Sequence, residues 1–243
     1  MDTNGDLVFH ENITSGIPSD LDSMIIDLLR DDVFQPETKE QLQTAVDLWV
    51  SDSSTALTNY GDINTWDVSL ITDMTELFRS KSTFNDDISS WDVSSVIEMD
   101  WMFHGASSFN QDLSSWDVRY VENMFNMFSS SAFNGDLSAW NVSNVTNMAS
   151  MFAFSEFNGD VSNWDVSSVT YMSSMFSYAE SFNQDISSWE VSSVITMQRM
   201  FYNAFLFNQD LSSWDVSNVT EMNFMFGNAH DFDGDISNWD VSN

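Results

Sequence analysis

Apolar positions along this chain follow two alternating rhythms. In residues 88–93, Ile88, Trp91 and Val93 are apolar and Ser89, Ser90 and Asp92 are polar, the LxxLxL spacing of a turn entering a short strand. Strand side chains alternate, so Ser90, Asp92 and Ser94 are expected on the opposite face from Trp91 and Val93. The rhythm then changes. Val96, Met99, Met102, Phe103, Ala106 and Phe109 recur every three or four residues, which predicts a helical turn with one buried stripe. Phe109-Asn110-Gln111-Asp112 follows as a turn, where Asn110 and Asp112 are placed to accept backbone N–H bonds.

This unit repeats. Trp66, Trp91, Trp116, Trp140, Trp164, Trp189, Trp214 and Trp239 are spaced by 25, 25, 24, 24, 25, 25 and 25 residues. A Phe column runs in step through Phe103, Phe128, Phe152, Phe176, Phe201 and Phe226, and the first unit has Leu77 beside Phe78 where later ones have Met. One unit cannot bury its own apolar side, so stacking is expected to bury like on like. The predicted fold class is an α/β repeat solenoid, leucine-rich-repeat-like, with one short strand and one helical turn in each unit of 24–25 residues.

Residues 19–59 lack the repeat. Leu21, Met24, Ile25 and Leu28 fit one helical face, and Leu42, Ala45, Val46 and Trp49 fit another after Pro36. The expected organisation is a flexible leader at 1–18, a helical cap at 19–59 and about eight units over 60–243. The text stops at Trp239-Asp240-Val241-Ser242-Asn243, just past the start of a unit. Truncation of a longer natural chain is the reading favoured there, with self-association at an uncapped end as the other.

The unit Trp-Asp-Val-Ser-x-Val-Thr-x-Met-x-x-Met-Phe-x-x-Ala-x-x-Phe-Asn-x-Asp, clear from Trp164 to Asp185, resembles the repeat of BspA-like leucine-rich-repeat surface proteins of the mycoplasma type, also found in protists and algae. The resemblance covers about residues 60–243 and leaves the cap outside. It implies a leucine-rich-repeat fold, cell-surface display, and adhesion or partner binding. It implies no catalytic residue.

Charge narrows the partners. Six Lys and Arg face 38 Asp and Glu, a formal net charge of −32. Such a field repels nucleic acid and anionic membrane and favours cations or basic proteins. No stretch of 18 apolar residues predicts membrane insertion. With no cysteine, disulfides, thiolate metal sites and a cysteine nucleophile are excluded. The Met columns pair periodically with Phe and read as core rather than as metal or haem ligands. His10, His104 and His230 share no spacing, and no Ser-His-Asp set, phosphate loop or HExxH motif occurs.

The acidic residues are ordered. Asp67, Asp92, Asp117, Asp165, Glu190, Asp215 and Asp240 share one position, with Asn141 as the neutral member. Asp87, Asp112, Asp136, Asp160, Asp185, Asp210 and Asp235 share a second. Stacked about 5 Å apart, neighbours repel by roughly 0.8 kcal/mol in water. The first column is a candidate face for cations or a basic ligand, and the second a candidate calcium column, since calcium prefers carboxylate oxygens. Against this stands the plainer reading of a solvated face and Asx-type backbone caps. Arg119, Tyr120 and Asn141 break the regular array and form a candidate specificity patch.

The function expected is therefore a non-enzymatic interaction module, extracellular or at the cell surface, presenting an acidic repeat surface to a protein or glycan partner. A structural scaffold and a calcium-dependent adhesion element are the alternatives.

Overall fold

A computed structural model describes residues 33–242 of the chain. The expected leader and the face of Leu21, Met24, Ile25 and Leu28 lie outside them. Gln35–Asn243 forms one compact unit.

That unit begins with two helices, α1 (Lys39–Ser51) and α2 (Ser53–Tyr60), and a 3₁₀ turn at Ile63–Thr65. The Thr38 hydroxyl caps α1 by accepting from the Gln41 amide, and the Asp52 carboxylate caps α2 by accepting from the Thr55 amide. Leu42, Ala45 and Val46 share one face of α1 and are fully buried. Polar side chains fix that helix to the first repeat unit. Lys39 pairs with Asp73 at 2.9 Å and Lys81 with Asp47 at 2.5 Å. Gln43 Nε2 donates to the Leu77 carbonyl at 3.1 Å, and the Trp49 ring meets Trp66 edge-on at 5.9 Å.

From Trp66 onward each unit is one coil, stacked on the last with a shift of 24 or 25 residues. The apolar columns are buried up to the last coil: Ile88, Trp91, Val93, Val96, Met99, Met102, Phe103, Ala106 and Phe109 are each at most 3% exposed, whereas Ile236 and Val241 reach 37% and 63%. The coil does not contain the expected elements. Among the described residues there is no β-strand, and none of the repeat units contains an α-helix. The expectation of an α/β leucine-rich-repeat-like solenoid, with a strand and a helical turn per unit, is overturned.

Two physical reasons account for the difference. Where a strand is expected, at Trp91–Val93, side chains take the backbone donors. The Ser94 amide donates to Asp92 Oδ1 at 3.0 Å, flanked by turns closed by Trp91 N to Ile88 O and Val96 N to Val93 O. Parallel pairing occurs further on and lasts one residue per coil, through Asp73, Glu98, Asn123, Asn147, Tyr171, Thr196 and Glu221.

Where a helix is expected, at Met99–Ala106, the backbone reverses its sense every fourth residue. Trp101 and Gly105 have φ of 59° and 71°, and the equivalent pairs Glu76/Ser80, Asn126/Ser130, Ser150/Phe154, Ser174/Tyr178, Arg199/Asn203 and Phe224/Asn228 are all left-handed. Such a chain cannot make successive bonds to the residue four back. It divides its donors instead. The amides of Met102, His104 and Ala106 donate within the coil, to the carbonyls of Met99, Trp101 and Phe103. The amides of Met99, Trp101, Phe103 and Gly105 donate forward, to Asn123, Phe125, Met127 and Ser129 of the next coil, at 2.8–3.0 Å. Every buried backbone donor in the segment is thereby satisfied, which a buried irregular chain requires.

Side chains form ladders beside this backbone. Phe78, Phe103, Phe128, Phe152, Phe176, Phe201 and Phe226 stack with centroids 5.2–5.8 Å apart and planes within 9° of parallel. Each spacing exceeds the ~4.8 Å between bonded chains, so the rings are offset, the arrangement their quadrupoles prefer. A second Phe joins inside each coil, as Phe103 and Phe109 do at 4.2 Å. The Trp column adds bonds. Trp116, Trp140, Trp164, Trp189 and Trp214 donate Nε1–H to the carbonyls of Ile88, Leu113, Leu137, Val161 and Ile186 one coil back. Asn110, expected in a local turn, also ties coils together: its Oδ1 accepts from the Asn134 amide, and Asn134 Oδ1 from the Asn158 amide.

Two stability predictions follow from this packing. Trp140→Phe should cost about 2 kcal/mol in urea unfolding, from one buried hydrogen bond and lost ring area. Trp239→Phe, at a partly exposed ladder position, should cost visibly less. At the left-handed Ser130, Gly should hold or raise the melting temperature, while the β-branched Val should destabilise by about 1–2 kcal/mol.

Candidate functional site

The two acidic columns act first on the backbone. In the turn column, Asp87, Asp112, Asp136, Asp160, Asp185, Asp210 and Asp235 each accept, through Oδ1, the amide of the Ser two residues on, at 2.9–3.0 Å. In the other column, Asp67, Asp92, Asp117, Asp165, Asp215 and Asp240 do the same to Ser69, Ser94, Arg119, Ser167, Ser217 and Ser242. Asn141 makes the same bond to Ser143 without a charge. Glu190, one methylene longer, shows no such bond to Ser192. The acceptor oxygen therefore shapes the turn, and the charge is additional to it. Among the described residues, no three His, Asp or Glu side chains gather as a metal site. The calcium reading of the turn column thus finds no cage there.

In nine members of the two columns such contacts hold the carboxyl below the usual range. For Asp112, Asp165, Asp185, Asp215 and Asp240 the Ser hydroxyl contributes most and its amide second. For Asp136, Asp160 and Asp235 the amide contributes most. For Asp117 the leading cause is the Arg119 side chain.

The Arg119 patch is less built than its sequence suggests. Arg119 Nε donates to Asp117 at 2.8 Å within its own turn, and Tyr120 is 58% exposed. Asn144 Nδ2 donates to the Arg119 carbonyl at 2.6 Å. No hydrogen bond or ring contact joins Arg119 or Tyr120 to Asn141 among the described residues. The three lie near one corner of adjacent coils without forming a pocket.

A different face carries the diversity. Some positions are constant across units: Ser89, Ser114, Ser138, Ser162, Ser187, Ser212 and Ser237 occupy one. At the first left-handed position the same units place Glu76, Trp101, Asn126, Ser150, Ser174, Arg199 and Phe224. At the residue before the second they place Arg79, His104, Ser129, Ala153, Ser177, Tyr202 and Gly227. At one end of this face Arg79 lies 4.4 Å over the Trp101 ring, beside His104. Burial, and then Arg79, keep the His104 imidazole below its usual pKa.

Further along, small residues hollow out a groove of about 430 Å³, floored by Ser150, Ala153, Ser174 and Ser177 and walled by Phe154, Tyr178 and Tyr202. Phe154 and Tyr178 stack at 4.5 Å, and Tyr202 meets Tyr178 edge-on at 5.6 Å. Sequence reasoning missed this face because it placed these residues on a helix. The signal available was the contrast between constant and variable positions across units.

A family model described as a mycoplasma protein of unknown function, DUF285, matches residues 50–156 and again residues 153–243. The chain belongs to the DUF285 family. No curated protein and no solved structure matches it. The second DUF285 match begins inside the first, as a model spanning several units does when the units repeat. The first match takes in the end of α1, α2 and the coils after it, the second lies on coils alone, and together they include the groove. No described helix of this DUF285 chain is long and apolar enough to cross a membrane.

The column geometry gives a prediction with a worked sign. Asp136→Asn keeps the acceptor and removes a charge, so its melting temperature should match or exceed the parent's. Asp136→Ala removes the acceptor and should melt a few degrees lower. Because the folded pKa values of Asp112, Asp136, Asp160, Asp165, Asp185 and Asp215 are depressed, their stabilisation is complete above the unfolded pKa near 4 and is lost as pH falls through the lower folded values. Melting should therefore be flat from about pH 7 to 5 and fall below about pH 4. At neutral pH added salt should raise it, by screening the net charge of −32.

Proposed function

We propose that this chain is a binding module whose variable left-handed face engages a partner at a cell surface, with the remaining coil surface acting as frame. One observation carries the reading. Coils built to one bond pattern differ in chemistry at side-by-side positions of a single face, where Trp101, Phe154, Tyr178, Tyr202 and Phe224 are presented. A repeat that served length alone has no use for such differences at one register, whereas recognition needs them. Exposed aromatic groups are also the side chains that dominate binding contacts. The likeness of the repeat to that of BspA-like surface proteins supports display and adhesion.

The acidic columns act within this proposal as a solubilising rim. Their charge favours a partner that carries basic groups near the rim, protein or glycan.

The test is retention of the labelled chain on cultured epithelial cells and on immobilised extracellular-matrix proteins. A variant with Trp101, Phe154, Tyr178 and Tyr202 changed to Ser should fold, by its melting curve, and lose at least tenfold in retention. A variant with Asp92, Asp165 and Asp215 changed to Asn should keep it. Equal retention of the parent and the four-Ser variant would remove the proposal.

A further inference from the structure

The groove between Phe154, Tyr178 and Tyr202 holds polar groups that the fold leaves unused. Asn126, Ser129 and Ser177 line it and are 7%, 3% and 5% exposed. No side-chain hydrogen bond engages any of the three within the described residues. Ser150 and Ser174, beside them, likewise make none through their hydroxyls. Their polar atoms open on the groove, not on closed protein, so they are donors and acceptors that a ligand seated there can take up.

A second observation concerns charge. Among the described residues the other cations are engaged: Lys39 with Asp73, Arg79 with Glu76, Lys81 with Asp47 and Arg119 with Asp117. Arg199, on the groove wall, has no carboxylate partner among the described residues. Its guanidinium instead lies 5.7 Å from both the Tyr202 and Phe224 rings, which hold it in place and leave its N–H groups free.

We infer that this groove binds a saccharide ending in a single carboxylated sugar. The inference rests on the proposed binding role of this face and names its ligand class. The groove volume of about 430 Å³ lies within the range for small-ligand sites, about 300–1,000 Å³. The stacked Phe154 and Tyr178 rings, 57% and 37% exposed, offer a flat apolar platform for the C–H face of a sugar ring. Hydroxyl and amide side chains both donate and accept, which matches sugar hydroxyls better than it matches the fixed polarity of a peptide backbone. Arg199 supplies a planar fork for one carboxylate. A polyanion is disfavoured: with Arg199 the one unpaired cation among the described residues and a net charge of −32 on the chain, each further anionic group meets repulsion.

The test uses the full chain on an array of matched glycan pairs, with and without a terminal sialic or uronic acid, and with polysulfated chains alongside. The carboxylated members should bind at least tenfold better than their neutral counterparts, and polysulfated chains should bind no better than neutral ones. Arg199→Gln should lose that tenfold preference, Arg199→Lys should keep part of it, and Tyr178→Ser should lose binding to both members of a pair. Melting curves establish that each variant is folded. A silent array, equal binding within pairs, stronger binding of polysulfates, or an Arg199→Gln variant equal to the parent would each overturn the inference. If the array is silent while cell retention still depends on the aromatic side chains, the ligand class fails and the binding role stands. If retention also ignores them, both fail.

Discussion

The structure depends on a division of labour among backbone amides. In each stretch equivalent to Met99–Ala106, alternate N–H groups close turns inside the coil and the others bond to the coil ahead. Neither half suffices alone. Turns without the forward bonds are unstable isolated turns, and forward bonds without the turns need a strand geometry that the left-handed residues forbid. The arrangement places non-glycine residues at positive φ, at a steric cost of about 1–2 kcal/mol for each. It persists because every buried amide then finds a carbonyl, and an unpaired one costs as much or more. Side chains follow the same logic. None of the left-handed positions carries Val, Ile or Thr, whose branching suits that conformation least.

The aromatic ladders set the spacing and the register. Offset Phe rings fill the interior at the distance the forward bonds allow, and each indole N–H reaches back to a carbonyl that already closes a turn in its own coil. Leu113, for instance, accepts from both Trp116 N and Trp140 Nε1. Mixing hydrogen bonds with ring stacking in this way makes neighbouring coils interdependent, so loss of one ladder member disturbs the coils on both sides.

Much of this was legible in the text of the chain. The repeat length, the burial of Ile88 through Phe109, and the bonding of Asp112 to its own turn follow directly from spacing and residue type. The secondary structure did not. Met99, Met102, Phe103 and Ala106 fit a helical stripe, and over eight residues a period of 3.6 differs from a strict four-residue alternation by only about a fifth of a turn. Two clues pointed the other way: the Val-Ile or Val-Thr pairs just before the bridge position, and the missing β-branched residues at Trp101, Gly105 and their equivalents. Single-unit periodicity hides both; comparison across units shows them. The groove was hidden for the same reason, because residues assigned to a helix were not placed side by side along a common face. The Asp columns left two readings open. A carboxylate that already accepts a backbone N–H reads in sequence like one free to ligate.

The forward bonds also give the stack a direction. In the turn segment the amides that bond between coils all donate to the following coil, so their peptide dipoles add rather than cancel. Over that segment the leading edge presents donors and the trailing edge acceptors, whereas just before it the Ile97, Glu122 and Thr146 carbonyls accept from the coil ahead; at the first coil Gln43 of α1 meets one of the trailing acceptors at Leu77. Two such edges of the same kind cannot pair. Any lengthening of the stack must therefore be vectorial, one orientation throughout, as in a polar filament.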